Sequence, residues 1–339
     1  MKIKREKLVE ILTTVKPGLS KKSIVEQASH FIFTGKEILT YNDRICILYP
    51  LESEFSCSIP AEEFYKILTG IHCEDIELTF NNDKLLIAGD HVKANLTIDT
   101  GDSIIEKTNS LAFNKALKKK QSLPDNFIEA LSLCMFSASK DETRPELTGV
   151  LIEDQYVAST DGMRISEYKM SNSIDDVILI PATSIIELVK FNAKYFYFDK
   201  SWAYFIAENN AIFASILIDA EYPDYTKFLK GFDTKEITLP DNMEQIINTS
   251  SILAEGNYDL DKEITIRISK NKIECKSQNE KVSILYESKF DYQDNNIEFI
   301  INPFCLSKIL SYTKSMFYSE NKVLFRNKSF KHIIALVSK

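Results

Sequence analysis

The segment SIPAEEFYKILTG, residues 58–70, sets a pattern that returns twice along the chain. IPATSIIELVKF (180–191) and INPFCLSKILSY (301–312) repeat it: an apolar residue, a proline, then an amphipathic stretch. The prolines of the three segments lie 121 and 122 residues apart. Proline is favoured at a first helical position, because its missing N–H would have no partner there anyway. The repeat therefore predicts one proline-headed helix in each third of the chain.

A further helix is predicted ahead of each of these three. The sequence Leu-Pro-Asp-Asn opens two of them, at residues 123–126 and 239–242, and Arg5-Glu6-Lys7 opens the first without a proline. Apolar and polar residues alternate with period two in the intervening segments, which predicts strands. We predict an α+β fold of three repeated domains, each with two helices packed on antiparallel β-sheets. Their bounds are residues 1–117, 118–233 and 234–339.

Composition limits the class of protein. The 339 residues carry 41 Lys and Arg against 49 Asp and Glu, a net charge of −8, which lowers the expectation of nucleic-acid binding unless the charges are segregated. The charged start MKIKREKLVE and the lack of a long apolar run predict no signal peptide, no membrane partner and a cytoplasmic location. Six cysteines without a C-x-x-C pair are expected to be reduced and mostly buried.

Catalytic signatures are missing from the sequence. The four His form no H-E-x-x-H motif, and neither G-x-S-x-G nor G-x-G-x-x-G occurs. Gly35-Lys36 lacks the rest of a phosphate loop and predicts a hairpin turn instead. We therefore expect a non-catalytic binding or scaffolding protein with no cofactor and no metal.

Three further motifs occur in order in the middle third. They are SASKDETRPELTGVLIE (137–153), ASTDGMRI (158–165) and DAEYPDY (219–225), although Asp161-Gly162 alone predicts only a type I′ turn. On the threefold repeat, these motifs resemble the bacterial DNA polymerase III β subunit family, the sliding clamps. The resemblance implies the DNA clamp fold, with each chain forming half of a closed ring. The chain resembles a divergent member of this family, and the divergence is compatible with a phage or mobile-element origin.

The family's role is processivity in DNA replication. The resemblance implies a ring-shaped homodimer that encircles double-stranded DNA without reading its sequence and has no catalytic activity of its own. It also implies two protein partners, a replicative DNA polymerase and a clamp loader.

The resemblance places a partner-peptide cleft in the last two thirds of the chain. Met163 stands where the family has His, and the ending ALVSK departs from the family's tail, so an altered peptide preference is expected. The predicted cleft residues are Leu147, Thr160, Gly162, Met163, Arg164, Ile165, Pro223, Phe228, Ala335, Leu336 and Val337.

The resemblance also implies a DNA surface and a dimer seam. One feature opposes strong DNA contact, since Glu62-Glu63 occupy a helix start that is usually basic in the family. The implied DNA-binding residues are Lys21, Lys22, Lys140, Lys227, Tyr258 and Asn302. The implied seam residues are Ala94, Leu96, Ile252 and Leu253.

Two alternatives remain at the level of sequence. One is a clamp-like docking or decoy protein that binds polymerase or loader peptides without encircling DNA, which Glu62-Glu63 and the unusual tail favour. The other is an enzyme on a similar repeat, which the missing motifs disfavour.

Overall fold

The computed structural model describes residues 1–20, 27–81, 83–99, 103–230, 235–254, 262–278, 281–319 and 322–335, with the backbone alone at 103, 235 and 253. Within these residues, no helix is long and apolar enough to cross a membrane. The α-helices are α1 (Arg5–Val15), α2 (Ala61–Gly70), α3 (Ser103–Thr108), α4 (Phe113–Lys119), α5 (Phe127–Cys134), α6 (Ala182–Leu188), α7 (Met243–Ser250) and α8 (Pro303–Tyr312). Short 3₁₀ turns occur at Lys16–Gly18, Met135–Ser137, Pro145–Thr148, Thr226–Leu229 and Ser251–Leu253.

The strands pair antiparallel throughout the described sheets. Their bounds are β1 (Lys2–Lys4), β2 (His30–Thr34), β3 (Glu37–Tyr41), β4 (Ile45–Pro50), β5 (Ser56–Pro60), β6 (Asp75–Asn81), β7 (Lys84–Ala88), β8 (Lys93–Thr97), β9 (Gln121–Ser122), β10 (Gly149–Thr160), β11 (Arg164–Pro181), β12 (Tyr195–Phe198), β13 (Trp202–Ile206), β14 (Ile212–Ile216), β15 (Lys235–Thr238), β16 (Ile264–Ser269), β17 (Lys272–Gln278), β18 (Ser283–Lys289), β19 (Ile297–Ile301), β20 (Ser315–Ser319), β21 (Lys322–Arg326) and β22 (Phe330–Ala335).

The first compact unit consists of Met1–Leu123 and Glu187–Leu217. It holds a four-stranded sheet, β1-β6-β7-β8, and an eight-stranded sheet, β5-β2-β3-β4-β14-β13-β12-β9. In the larger sheet β4 pairs with β14, so strands from the first and middle thirds of the chain share one sheet. Helices α3 and α4, which no sequence pattern indicated, supply the buried Ile104 and Ala116 to an apolar cluster with Tyr204.

The second compact unit consists of Pro124–Ile186 and Ile218–Lys339. It holds a six-stranded sheet, β10-β11-β22-β21-β20-β15, and a four-stranded sheet, β18-β17-β16-β19. Here β11 pairs with β22, so strands from the middle and last thirds meet in one sheet. The division into two units groups the chain differently from the three repeated domains, which stay a prediction.

The repeated element order is confirmed. Each third contains a helix, strands, a second helix and further strands, with α1 and α2, α5 and α6, and α7 and α8 in the two helical positions. Pro303 is the first residue of α8, as predicted, whereas Pro60 and Pro181 end strands and their helices begin one residue later. The six cysteines are free, and all but the partly exposed Cys73 are buried, as predicted.

Candidate functional site

The turn between β10 and β11 is organised by one carboxylate. Asp161 Oδ1 accepts hydrogen bonds from the N–H groups of Met163 and Arg164, each at 2.9 Å, and Oδ2 accepts one from Arg164 Nε at 2.8 Å. Gly162 has a φ of +91°, and Asp161 is not among the residues with positive φ. A type I′ turn needs positive φ at both central residues, so that sequence prediction is wrong. The turn presents Met163 to solvent, with 64% of its surface exposed.

The Arg164 guanidinium lies inside this turn and is not offered to a ligand. The residue is buried. Its Nε pairs with Asp161 at 2.8 Å, and its Nη2 pairs with Glu263 Oε1 at 3.3 Å. A buried charge is tolerated when it is paired in this way. Arg164 therefore holds the turn in place and ties it to the residue that precedes β16.

Strand β22 supplies the next wall of the site. The N–H of Ala335 donates to the carbonyl of Met163 at 2.8 Å, and Ile165 lies opposite Ile333 in the β11–β22 register. Residues opposite each other in an antiparallel pair share one face of the sheet. The face formed here is an apolar floor, defined by Leu151, Ala158, Ile165, Leu179, Tyr225, Leu324 and Ile333.

A covering segment, residues 222–229, packs on this floor. Tyr222 and Leu229 contact the floor cluster, and the Tyr222 hydroxyl accepts a hydrogen bond from the N–H of Thr160 at 2.8 Å. Phe228 is exposed, and Lys227 Nζ lies 5.1 Å from the centroid of its ring. The hydrogen bond fixes the covering segment against the β10–β11 turn. We call the floor, the turn and the covering segment together the cleft.

Burial controls the ionisation of the cleft's tyrosines. Burial away from solvent is the main reason why the pKa of the Tyr222 hydroxyl is raised, and the same holds for Tyr225. The carboxylate of Glu167 raises the pKa of Tyr225 further. Glu167 is itself buried and pairs with Lys331 at 2.9 Å. The floor therefore consists of neutral rings and aliphatic groups, and it is buried beneath the covering segment. The large apolar side chains that this region exposes to solvent are Met163 and Phe228.

A polar network lies on the opposite face of the same strands. His332 Nδ1 is 2.7 Å from Ser166 Oγ, which is 2.8 Å from Ser137 Oγ. His332 Nε2 is buried and has no hydrogen-bond partner within the described part of the chain. Burial, chiefly, and the nearby positive charge of Arg164 lower the pKa of His332 to about 3. The imidazole is therefore neutral at physiological pH.

The cleft residues implied by the resemblance only partly face solvent. The structure brings Thr160, Gly162, Met163 and Ile165 together with Ala335, while Leu147 and Ile165 are buried and Pro223 is exposed. Leu336 and Val337 lie outside the described residues. Sequence reasoning missed further cleft residues: Tyr222 and Tyr225, which the quoted motif DAEYPDY contains, and Leu229, Leu324 and Ile333, which carried no signal.

The described candidates for DNA contact differ in their surroundings. Lys140 Nζ lies 4.0 Å from Glu263, and Lys227 belongs to the covering segment. Asn302 is buried, and its side chain accepts hydrogen bonds from two N–H groups of α8 and donates one to Lys262 O. That capping role argues against a direct DNA contact by Asn302. Lys21, Lys22 and Tyr258 lie outside the described residues.

The candidate seam residues lie at two places. Ala94 and Leu96 are half-buried on β8, the last strand of its sheet, and Ile252 follows α7 with 71% of its surface exposed. Leu253 follows Ile252, but its side chain lies outside the described ones.

Comparisons with known proteins show which proteins this chain is similar to. A family model described as the DNA polymerase III beta subunit, central domain, matches residues 122–224. The beta sliding clamp of Buchnera aphidicola subsp. Acyrthosiphon pisum is 26% identical over 276 residues, covering 76% of this chain and 71% of that protein. The clamp of the subspecies from Rhopalosiphum padi is 32% identical over 219 residues, 59% of this chain and 57% of that protein. The middle third of this chain is therefore similar to the central domain of the DNA polymerase III β subunit, and sequence similarity to curated sliding clamps extends beyond it.

The β subunit fold extends over the whole chain. A crystal structure of a putative DNA polymerase III β subunit from Eubacterium rectale matches with a TM-score of 0.75 at 18% identity, covering 100% of this chain and 99% of that one. The sliding clamp of Bacillus subtilis matches with a TM-score of 0.71 at 19% identity, covering 100% and 98%. The predicted clamp fold is confirmed. At this low identity, the full coverage shows that the two proteins share the fold of this chain.

Proposed function

We propose that this chain is a DNA sliding clamp: a ring-shaped homodimer that encircles duplex DNA and tethers the replicative polymerase through the cleft. The observation that carries the proposal is the clamp fold over the full length of the chain, together with the match of residues 122–224 to the central domain of the DNA polymerase III beta subunit. A ring around DNA needs no tight contact in order to stay on, since topology retains it. Tethering raises the effective concentration of the polymerase at the primer end.

The strand order supports closure of the ring by a second copy. Two sheets already join successive thirds, through β4–β14 and β11–β22. Within the described chain, β8 and β18 each pair on one side only and end their four-stranded sheets. Strand β8 is the last strand of its third of the chain, as β14 and β22 are of theirs. Strand β18 is the third strand after the first repeated helix of its third, as β4 is after α1. Pairing β8 of one copy with β18 of the other would complete a third joined sheet of the same kind.

Side chains on these two edges suit such a seam. Ala94 and Leu96 on β8 lie opposite the buried Ile87 and Leu85, which places all four on the face that packs inward. On β18, Ile284 and Tyr286 lie opposite buried residues of β17 in the same way, and both are half-buried. Pairing the edges would cover these apolar side chains. It would also satisfy edge N–H and C=O groups that otherwise invite aggregation.

The proposed DNA contact is electrostatic and independent of sequence. Contacts to phosphates position a protein on a duplex without reading bases, which permits sliding. Lys140 is the described lysine that best fits this role from the implied set. Glu62 pairs with Lys66 at 2.7 Å, so part of the acidic charge at the start of α2 is neutralised on its own helix. We infer weak contact with DNA and retention by topology.

The cleft is proposed to take an apolar peptide from the polymerase, and a clamp loader is proposed to open the ring. Met163 and Phe228 are exposed apolar side chains at the edge of an apolar floor. Burying each large side chain of a peptide there would contribute about 1.5–3 kcal/mol. The chain itself is proposed to be a non-catalytic accessory subunit that acts in the cytoplasm.

The decisive experiment measures topological retention. The protein is loaded by its clamp loader onto nicked circular duplex DNA, and co-elution is followed before and after linearisation of the circle. A clamp stays on the circle at high salt and leaves once the DNA is cut. Equal retention on linear and circular DNA, or none on either, would contradict the proposal. Small-angle scattering supplies the companion measurement, since the ring should have twice the chain mass of 38.8 kDa.

A docking module without encirclement, the alternative left open by the sequence, is not favoured by the similarity to sliding clamps. This candidate predicts a monomer at all concentrations that still binds polymerase peptides. Mass and peptide binding, measured on one sample, separate the two.

A further inference from the structure

We propose that the exposed face of α8 is a base-stacking site for single-stranded DNA. The inference rests on the proposed role at DNA and goes beyond it, since phosphate contact alone would leave this face unexplained. Two aromatic side chains, Phe304 and Tyr312, are 39% and 41% exposed on one short helix. Single exposed apolar side chains are ordinary on a protein surface, so the inference depends on the pairing of two rings on one helix and on the cation beside them.

The rings lie on the same side of the helix. Eight residues separate Phe304 from Tyr312, a little over two turns, and Lys308 lies midway between them. The inward side of the helix is a separate stripe, made by Cys305, Leu306 and Ile309. The two rings are about 12 Å apart along the helix axis. At about 3.4 Å for each stacked base, a strand of about four nucleotides would reach both.

The charge around these rings favours a polyanion. Lys262 Nζ lies 4.8 Å from the centroid of the Phe304 ring, and the half-buried Lys308 donates a hydrogen bond from Nζ to Ser132 Oγ on α5. Residues 303–312 contain no Asp or Glu. The second helix of the first third differs, since Glu62 and Glu63 are exposed in the first turn of α2. Aromatic rings flanked by cations are the usual surface for unpaired strands.

Stacking specifies a single strand and excludes an intact duplex as the ligand of this face. Bases of a duplex have their faces covered by their neighbours, whereas bases of a single strand are available to a protein ring. A site of this kind would hold the unpaired template strand near a primer end. It would contribute an interaction that salt screens little, in contrast to phosphate contacts, whose strength falls steeply with salt.

The test measures binding of a fluorescent oligothymidylate of about 20 nucleotides by anisotropy over a range of salt concentrations. The variants Phe304→Leu and Tyr312→Leu remove a ring but keep an apolar side chain. Each is expected to weaken binding about tenfold, without changing the slope of log affinity against log salt. Lys262→Gln is expected to lower that slope by about 0.7 instead. An abasic oligonucleotide should bind the wild type and the ring variants equally.

Phe80→Leu is the matched control. Phe80 is 39% exposed, as Phe304 is, but lies on β6 against Phe55. Thermal melting of each variant verifies that it is folded. Absence of binding by the wild type, full binding by both ring variants, or an equal loss with Phe80→Leu would overturn the stacking site.

Retention on circular duplex DNA, measured on the same proteins, separates this inference from the clamp function. Retention without oligothymidylate binding overturns only the stacking site. Oligothymidylate binding that depends on the rings, without retention, overturns only the encircling clamp.

Discussion

The N–H of Thr160 donates a hydrogen bond to the hydroxyl of Tyr222 at 2.8 Å, across 62 residues of sequence. This bond joins the β10–β11 turn to the covering segment, and so connects two sequence motifs that are far apart in the chain. The Thr160 hydroxyl also donates to the carbonyl of Arg164 at 2.7 Å, inside the turn. The shape of the cleft therefore depends on a small set of polar contacts around an apolar floor.

Removal of the Tyr222 hydroxyl tests that dependence. Tyr222→Phe leaves the Thr160 N–H without its partner, and a buried unpaired donor costs about 1–3 kcal/mol. We expect a free energy of unfolding lower by about that amount in urea titration, and weaker binding of the polymerase peptide. Tyr156→Phe, a change on the more exposed part of β10, is the control and should alter neither. Unchanged stability of Tyr222→Phe would mean that the bond contributes nothing.

Met163 tests the position of the cleft. Met163→Asp should reduce binding of the polymerase tail peptide at least tenfold, because it puts a charge where the peptide would bury an apolar side chain. Val177→Asp is matched in exposure, since both residues are 64% exposed, and Val177 lies on β11, which begins one residue after Met163, away from the turn. Calorimetric titration should show a loss of peptide affinity for Met163→Asp and none for Val177→Asp. Equal binding by the two variants would move the peptide site elsewhere.

Ile252 tests the seam. Ile252→Asp places a charge in the proposed contact between copies and should convert the dimer to monomers, while the exposed position spares the fold of each chain. Light scattering after gel filtration gives the mass directly. Met163→Asp should remain dimeric, and Ile252→Asp should keep its peptide affinity, so each variant controls for the other. A dimeric Ile252→Asp protein would remove this residue from the seam.

His332 tests the buried polar network through pH. Its pKa is lowered to about 3 from an ordinary value of 6.5, so between these values the unfolded chain holds a proton that the folded chain does not. The contribution of His332 to the free energy of unfolding is therefore at its full value above about pH 6.5, and it is lost as the pH falls toward 3. The expected slope is about 1.4 kcal/mol per pH unit in that window. Comparison with His332→Gln, which cannot titrate, isolates this contribution, and parallel profiles would contradict it.

Asn302 tests capping against DNA contact. Its Oδ1 accepts from the N–H groups of Phe304 at 2.9 Å and Cys305 at 3.0 Å. Asn302→Ala should lower the free energy of unfolding by about 1–2 kcal/mol, while Asn302→Ser keeps an oxygen that can accept from the helix N–H groups and should lose less. Duplex retention should be unaffected in any variant that remains folded. Loss of retention at unchanged stability would restore the residue to the DNA surface.

Much of the fold was predicted from short-range patterns. Proline placement, helical spacing and period-two alternation gave the order of helices and strands in every third, since each depends on residues only a few positions apart. The proposed turn type at Asp161-Gly162 was wrong because the Asp161 carboxylate accepts local hydrogen bonds, and these favour a different turn. Helices α3 and α4 were missed, because their short sequence carries no clear repeat.

The sequence by itself determined the repeated elements, the resemblance to the sliding clamps and the motifs around Asp161 and Tyr225. Only the tertiary structure decided that Arg164 is buried between two carboxylates, that Asn302 caps a helix and that Phe304 is exposed. It also decided the joining of β4 to β14 and of β11 to β22. The reason is physical: pairing between strands more than 150 residues apart depends on how whole sheets pack, and local propensity does not encode that choice.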